Sequence, residues 1–227
     1  MGKTILTPKQ LNFLELAASE KQITKRFYLT GGTALSEFYL QHRLSEDIDL
    51  FCEDTEVEID AVEAFLKKIS PALGVKKIKR SQFLGLVSYV MFFNGKNSLK
   101  VDFNYYPFLR IGKGKKFKDL EIDSVYDIAA NKVHTIFMRP RSRDYADLYC
   151  IMKQENYSLD KLIIDAKTKF DWHIDKVNLA SQFSRVIDFK EDFPKMLVPF
   201  NHKDMEEFFL TLTKSLEGEI FGPSGGY

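Results

Sequence analysis

Over 227 residues, 33 Lys and Arg nearly cancel 32 Asp and Glu, leaving a formal charge of +1, so any nucleic-acid partner must be held by a local basic patch rather than by bulk charge. A hydrophobic fraction of 44% with 20 Phe excludes disorder as the governing state and allows one domain, or one domain with an appended helical lobe. Cys52 and Cys150 lack metal-type spacing and predict reduced thiols; no apolar segment follows Met1 and no run of about 18 apolar residues occurs, which predicts a soluble, cytoplasmic protein with no membrane association.

Thr7-Pro8-Lys9-Gln10 combines an N-cap hydroxyl, a proline at the first helical position and a capping-box glutamine ahead of Leu11, Leu14 and Ala17, which predicts a first helix. Phe27-Tyr28-Leu29 is a short strand that runs into Gly31-Gly32, and Ala34 to Gln41 is predicted helical. From Ser45 to Phe51 polar and apolar residues alternate, giving a half-buried strand with Asp47 and Asp49 on one face and Ile48 and Leu50 on the other. A helix from about Val57 to Ile69 is expected to stop at Ser70-Pro71, because the residue before proline disfavours the helical region. Leu86 to Phe93 and Ser98 to Tyr105 flank Asn94-Gly95-Lys96-Asn97, a hairpin signal that makes the sheet at least partly antiparallel. Lys113-Gly114-Lys115-Lys116 has the composition of a basic loop. Ser124 and Asp127 open a helix to about Met138, Pro140 ends it, another begins near Arg143, and from Lys161 the chain is expected to be helical until Gly218. The implied organisation is a core over 1–122, a helical lobe over 123–217 and a disordered tail over 218–227.

Two residues apart on a strand, Asp47 and Asp49 carry their carboxylates on one face, roughly 7 Å apart at the backbone. Carboxylates brought to about 4 Å repel by roughly 4 kcal/mol at an effective dielectric near 20, and a divalent cation removes that conflict. Magnesium, or manganese in its place, suits such oxygen donors because it keeps waters and substrate phosphates in its shell. An isolated Asp-x-Asp is more often a solvated polar face, so context matters. Asp102 shares the polar face of the later hairpin strand with Lys100 and Asn104, and offers a third carboxylate for the metal set or for the proton of an attacking hydroxyl. Gly31-Gly32-Thr33 sits where a strand turns into a helix, so backbone amides and the Thr33 hydroxyl are placed to cradle a triphosphate. A bare Gly-Gly is otherwise a tight turn, and this one lacks the glycine patterns of dinucleotide and P-loop sites.

Glycine-glycine followed one helix later by Asp-x-Asp resembles the nucleotidyltransferase signature of the polymerase-β type. Gly31-Gly32-Thr33-Ala34-Leu35, with His42-Arg43-Leu44-Ser45-Glu46-Asp47-Ile48-Asp49-Leu50-Phe51, is similar to the AbiEii/AbiGii toxin family of bacterial nucleotidyltransferases. The resemblance covers roughly residues 27 to 151. It implies an α/β (α+β) polymerase-β-like core with a mixed sheet, completed by a C-terminal helical lobe. It implies Asp47, Asp49 and Asp102 on the metal, and Gly31, Gly32, Thr33, Arg43 and Ser45 beside the nucleotide. It also implies a second cluster: Lys132 binding the triphosphate, then Arg143-Asp144-Tyr145-Ala146-Asp147-Leu148-Tyr149, in which Asp144 and Asp147 orient the lysine or the acceptor. Periodicity places Lys132 inside the apolar arc of Val125, Ile128, Ala129 and Ile136, and an inward lysine needs an anion; a lysine snorkelling from the edge of the arc gives the same pattern. Arg139, Arg141 and Arg143 form a basic run that is either a solvated loop or a contact for an RNA backbone.

The activity implied is transfer of a nucleoside monophosphate from a nucleoside triphosphate to an RNA acceptor, the 3′ end of tRNA. The protein would be the toxin of a toxin–antitoxin or abortive-infection system, neutralised by a separately encoded antitoxin. The alternatives are transfer to a protein or an antibiotic-type small molecule, and a catalytically silent nucleotide-binding module.

Overall fold

The capping box forms as expected and fixes the first helix, α1 (Pro8–Ser19): the Thr7 hydroxyl accepts from the Gln10 amide at 3.3 Å, and Gln10 Oε1 accepts from the Thr7 amide at 3.0 Å. The computed structural model describes residues 4–95, 97–189 and 192–221, with side chains through Leu216. Internal packing separates two units, Met1–Ser124 and Val125–Tyr227.

In the first unit α1 is followed by α2 (Lys21–Thr24), β1 (Tyr28–Thr30), α3 (Gly31–Leu35), β2 (Ile48–Cys52), α4 (Ile59–Leu73), β3 (Lys77–Phe83), β4 (Leu86–Phe92), β5 (Ser98–Tyr105), β6 (Lys116–Phe117) and β7 (Leu120–Ile122). The strands make one mixed sheet in the order β3-β4-β5-β2-β1-β7-β6, with β2–β5 and β1–β7 parallel and the remaining pairs antiparallel. One face of β4 and β5 is core: Val87, Tyr89, Met91, Val101 and Phe103 are all buried, and Phe103 is met edge-on by Phe27 and Tyr89. Phe13 of α1 and Phe65 of α4 close a second part of this core with ring centroids 6.0 Å apart.

The second unit is helical: α5 (Val125–Met138), α6 (Ser142–Gln154), α7 (Leu159–Phe170), α8 (Lys176–Ser184) and α9 (His202–Phe221). Tyr145 is fully buried among Phe189 and Phe209, and its hydroxyl donates to the Gln182 carbonyl at 2.5 Å, so the polar end of the ring is satisfied inside the core.

Several local expectations are corrected. The helix after the glycines begins at Gly31 itself, and past Leu35 it widens into a π turn over Ser36–Leu40, closed by Gln41 at φ 48°. Asp47 lies just ahead of β2, not within it, because side chains take the carbonyls that a ladder would use. Gln10 Nε2 donates to Ser45 O at 2.7 Å and to Glu46 O at 3.1 Å, and the Thr33 hydroxyl donates to Asp47 O. Helix α4 passes Pro71 because Leu73 is buried and Gly74, at φ 72°, supplies the left-handed cap. Strand β3 carries no apolar alternation to read, being exposed along almost its whole length, while β6 and β7 are only two and three residues long. Lys116, expected in a loop, opens β6. Helix is not continuous from Lys161: α7 stops at a left-handed Asp171, and among the described residues none of 189–201 is helical, a stretch that holds Pro194 and Pro199. Of the tail expected to be disordered, 218–221 belongs to α9 and 222–227 lies outside the described residues.

Candidate active site

The sheet register assembles three carboxylates. Asp49 pairs with Asp102 across the parallel β2–β5 ladder, and Asp47 lies two residues before Asp49, next to the level of Lys100. The hairpin turn sets the other neighbour. Phe93 N donates to Asn97 O at 3.0 Å with Gly95 at φ 75°, and the resulting register places Ser88 opposite Asp102. Ser88 Oγ then donates to Asp102 Oδ1 at 2.6 Å, and Lys100 Nζ donates to Asp102 Oδ2 at 2.6 Å while lying 3.5 Å from Asp47 Oδ2. Burial on its own would lower the Lys100 pKa; the hydrogen bond to Asp102 and the fields of Asp102, Asp47 and Asp49 outweigh it, so the ammonium is held above its ordinary range.

The glycine turn is pressed directly against this cluster. A Cβ on Gly31, which also holds φ 72°, would stand 2.5 Å from Asp49 Oδ2, and one on Gly32 would stand 2.3 Å from Arg43 Nη2 and 3.0 Å from Ser45 Oγ. Gly31 therefore requires glycine, by its left-handed backbone and by the carboxylate against it, whereas a side chain at Gly32 would have to displace the Arg43 guanidinium. Arg43 is buried and its Nη1 donates to the Leu44 carbonyl at 2.8 Å. Gly31, Gly32, Arg43, Ser45, Asp47, Asp49 and Asp102 are thus brought together. Thr33 differs from expectation: it is fully buried and its hydroxyl is committed to the Asp47 carbonyl, so it fixes the carboxylate segment and leaves no hydroxyl for a phosphate.

Among the described residues no three His, Cys, Asp or Glu side chains converge as a ready metal cage. The carboxylates gather instead about the Lys100 ammonium. The donor chemistry nevertheless fits a hard divalent cation: three carboxylates share a half-open site with the Lys100 ammonium and the nearby Arg43 guanidinium, so acids still outnumber cations.

In the second unit Lys132 is buried as the apolar arc requires, and its anion is double: Nζ lies 2.6 Å from Asp144 Oδ1 and 2.7 Å from Asp147 Oδ2. Asp144 Oδ2 also accepts from the Arg141 amide at 3.1 Å, so one residue caps α6 and holds the lysine. Arg139 and Arg141 are exposed and Arg143 is half-buried.

Lys100 and Ser88 have no role in the sequence reading, and Gln10 has only its capping-box role, not the bonds its Nε2 donates to the Ser45 and Glu46 carbonyls. Lys100 was signalled by its two-residue spacing from Asp102, and Ser88 only by the hairpin register. Also missed was the buried pair Lys169–Asp127, at 2.8 Å, whose residues are 42 positions apart and carry no local signal.

Residues 13–213 match the family described as nucleotidyl transferase AbiEii toxin, type IV TA system. An uncharacterized protein of Aquifex aeolicus (strain VF5) is 28% identical over 189 residues, covering 82% of this chain and 86% of that one. Two solved structures from Helicobacter pylori share the fold at 18% identity: JHP933, with a TM-score of 0.58 over 95% of each chain, and a candidate nucleotidyltransferase, with a TM-score of 0.59 over 95% of this chain and 98% of that one.

Proposed function

The chain belongs to the nucleotidyl transferase AbiEii toxin family, and from that premise we propose that it transfers a nucleoside monophosphate from a nucleoside triphosphate to the 3′ end of an RNA, with tRNA as the acceptor. The observation that carries this reading is the placement of Asp49 and Asp102 side by side, with Asp47 just upstream and the Gly31-Gly32 turn packed against Asp49. Asp47, Asp49 and Asp102 would hold magnesium. When bound, that ion supplies charge neutralisation at the phosphates of an in-line displacement.

The remaining chemistry falls to the chain itself. Ser45, half-buried against Gly32, presents a hydroxyl to phosphate oxygens, and the buried Arg43 guanidinium beside it adds a favourable field. The acceptor hydroxyl oxygen forms its bond to the α-phosphorus, the bond between that phosphorus and the bridging oxygen breaks, and pyrophosphate leaves. Asp102, oriented by Ser88, takes the hydroxyl proton. Lys100 offsets the mutual repulsion of the carboxylates. Lys132, held by Asp144 and Asp147, braces α5 against α6. A cognate antitoxin neutralises the protein in the cytoplasm; among the described residues no helix is long and apolar enough to cross a membrane.

The test is incubation with magnesium, each labelled nucleoside triphosphate in turn and total bacterial RNA, beside an Asp47→Asn/Asp49→Asn control. Label on small RNA only with intact aspartates is expected. Label on protein or on an antibiotic would replace the acceptor, and no label on any of these would remove the activity.

A further inference from the structure

The carboxylate row continues beyond β5. Ser81 of β3 pairs with Ser88, Ser88 with Asp102 and Asp102 with Asp49, and directly paired residues share a face of the sheet. Residues two along share it as well, so Lys77, Lys79 and Phe83 of β3, with Val90 and Phe92 of β4, lie on the carboxylate face. Arg80 alternates to the opposite side, where it meets Glu63 of α4 at 2.7 Å. The two faces of β4 differ accordingly: Val87, Tyr89 and Met91 are buried, whereas Leu86, Val90 and Phe92 are half-exposed.

Everything on β3 except Ile78 is exposed, and the β3–β4 tip presents Phe83 at 74% and Leu84 at 81% exposure, the latter in a left-handed conformation at φ 50°. Lys79 Nζ lies over the Phe92 ring, 5.5 Å from its centroid. Residues 76–101 contain no Asp or Glu, while Lys76, Lys77, Lys79, Arg80, Lys96 and Lys100 fall within them. An open sheet face that interleaves aromatic rings with cations, with no acid before Asp102, has the chemistry of a single-stranded nucleic-acid platform: bases stack on rings and phosphates meet ammonium groups.

Resting on the transferase reading above, we propose that the exposed β3–β4 face docks the single-stranded 3′ segment of the RNA acceptor, with bases on Phe83 and Phe92, phosphates on Lys77 and Lys79, and the terminal hydroxyl led along the paired row to Asp102. Charge complementarity selects a polyanion, and continuity with the carboxylate row together with the exposed ring of Phe83 selects this one over an acidic polypeptide added at the β3 edge.

The test is fluorescence anisotropy of the full chain with a fluorescein-labelled single-stranded RNA bearing a free 3′ hydroxyl, across a salt series. Phe83→Ala should weaken binding by about 5-fold or more. Lys77→Gln/Lys79→Gln should lower the slope of log affinity against log salt by about 1.4, while the charge-matched Lys76→Gln/Arg80→Gln, on alternate positions of the same segment, should leave it near that of the unmodified protein. Equal slope changes in the two double variants, or unaltered affinity in Phe83→Ala, would overturn the proposal. So would β3 variants that keep RNA binding but lose binding to polyglutamate, since the face would then be a protein interface. The two readings separate: RNA binding lost in the face variants, with no transfer by the unmodified protein, supports the platform and removes the transferase; transfer retained, with RNA binding unchanged in the variants, removes the platform alone.

Discussion

Two lysines in this molecule hold aspartates in opposite ways. Lys100 sits in a half-open cluster with Asp47, Asp49 and Asp102, its own side chain 39% exposed, so acids outnumber cations where solvent can reach them. Lys132 sits in a closed cluster with Asp144 and Asp147, whose side chains are 6% and 0% exposed. Carboxylates outnumber ammonium groups in both; in the first, water screens the surplus and a cation can reach it, whereas in the second it is closed off from solvent. In the second, removing the lysine would strand carboxylates in the interior. The first arrangement suits a site that must change its charge during a reaction; the second suits a fixed strut.

The largest separation between the two should appear in activity. Asp49→Asn should reduce nucleotidyl transfer at least about a hundredfold, equivalent to roughly 2.7 kcal/mol in the barrier, while costing less stability than loss of the buried Lys132. Stability should show the reverse ordering. In urea titrations Lys132→Met should cost about 3–5 kcal/mol, and adding Asp144→Asn/Asp147→Asn should restore most of it. Lys100→Met should cost less than about 1 kcal/mol. Equal losses for the two lysines would erase the distinction.

A smaller effect is expected at the joint that sets the open cluster. Thr33→Val keeps the shape of a fully buried side chain but removes the donor to the Asp47 carbonyl, which should cost about 1–2 kcal/mol and lower transfer as the Asp47 segment loosens. The smallest effect is a pH dependence in the second unit. His134 stacks on Phe170 with ring centroids 3.9 Å apart, and burial pushes its pKa below the ordinary 6.5. The unfolded chain therefore binds that proton first as pH falls. This contribution is complete above about pH 6.5 and diminishes as the pH drops toward the folded value. His134→Phe should flatten that part of a melting-temperature profile; an unchanged profile would contradict the assignment.

The legible parts of the molecule are those governed by short-range chemistry. Thr7-Pro8-Lys9-Gln10 forms its capping box because the partners are three residues apart, and Lys132 is buried where its helical angle places it. Alternation puts Asp102 on the polar face of β5, but its pairing with Asp49 is a long-range parallel register, and its partner Ser88 depended on turn length: a two-residue turn at Asn94-Gly95 would set Val87 opposite Asp102, whereas the Phe93–Asn97 closure sets Ser88 there. Strand β3 was illegible because it buries almost nothing, and period-two reading detects burial. Thr33 was assigned to phosphate because the sequence cannot show that the Asp47 carbonyl, fourteen residues on, takes its hydroxyl.

The most direct test of the central claim is titration of the protein with manganese, followed by electron paramagnetic resonance, in the presence of a non-hydrolysable nucleoside triphosphate analogue. Bound manganese is expected to depend on Asp47, Asp49 and Asp102, with affinity lost in Asp47→Asn/Asp49→Asn and undiminished in Lys100→Met, where the competing ammonium is gone. Equal manganese binding by the aspartate variant and the unmodified protein would contradict that claim.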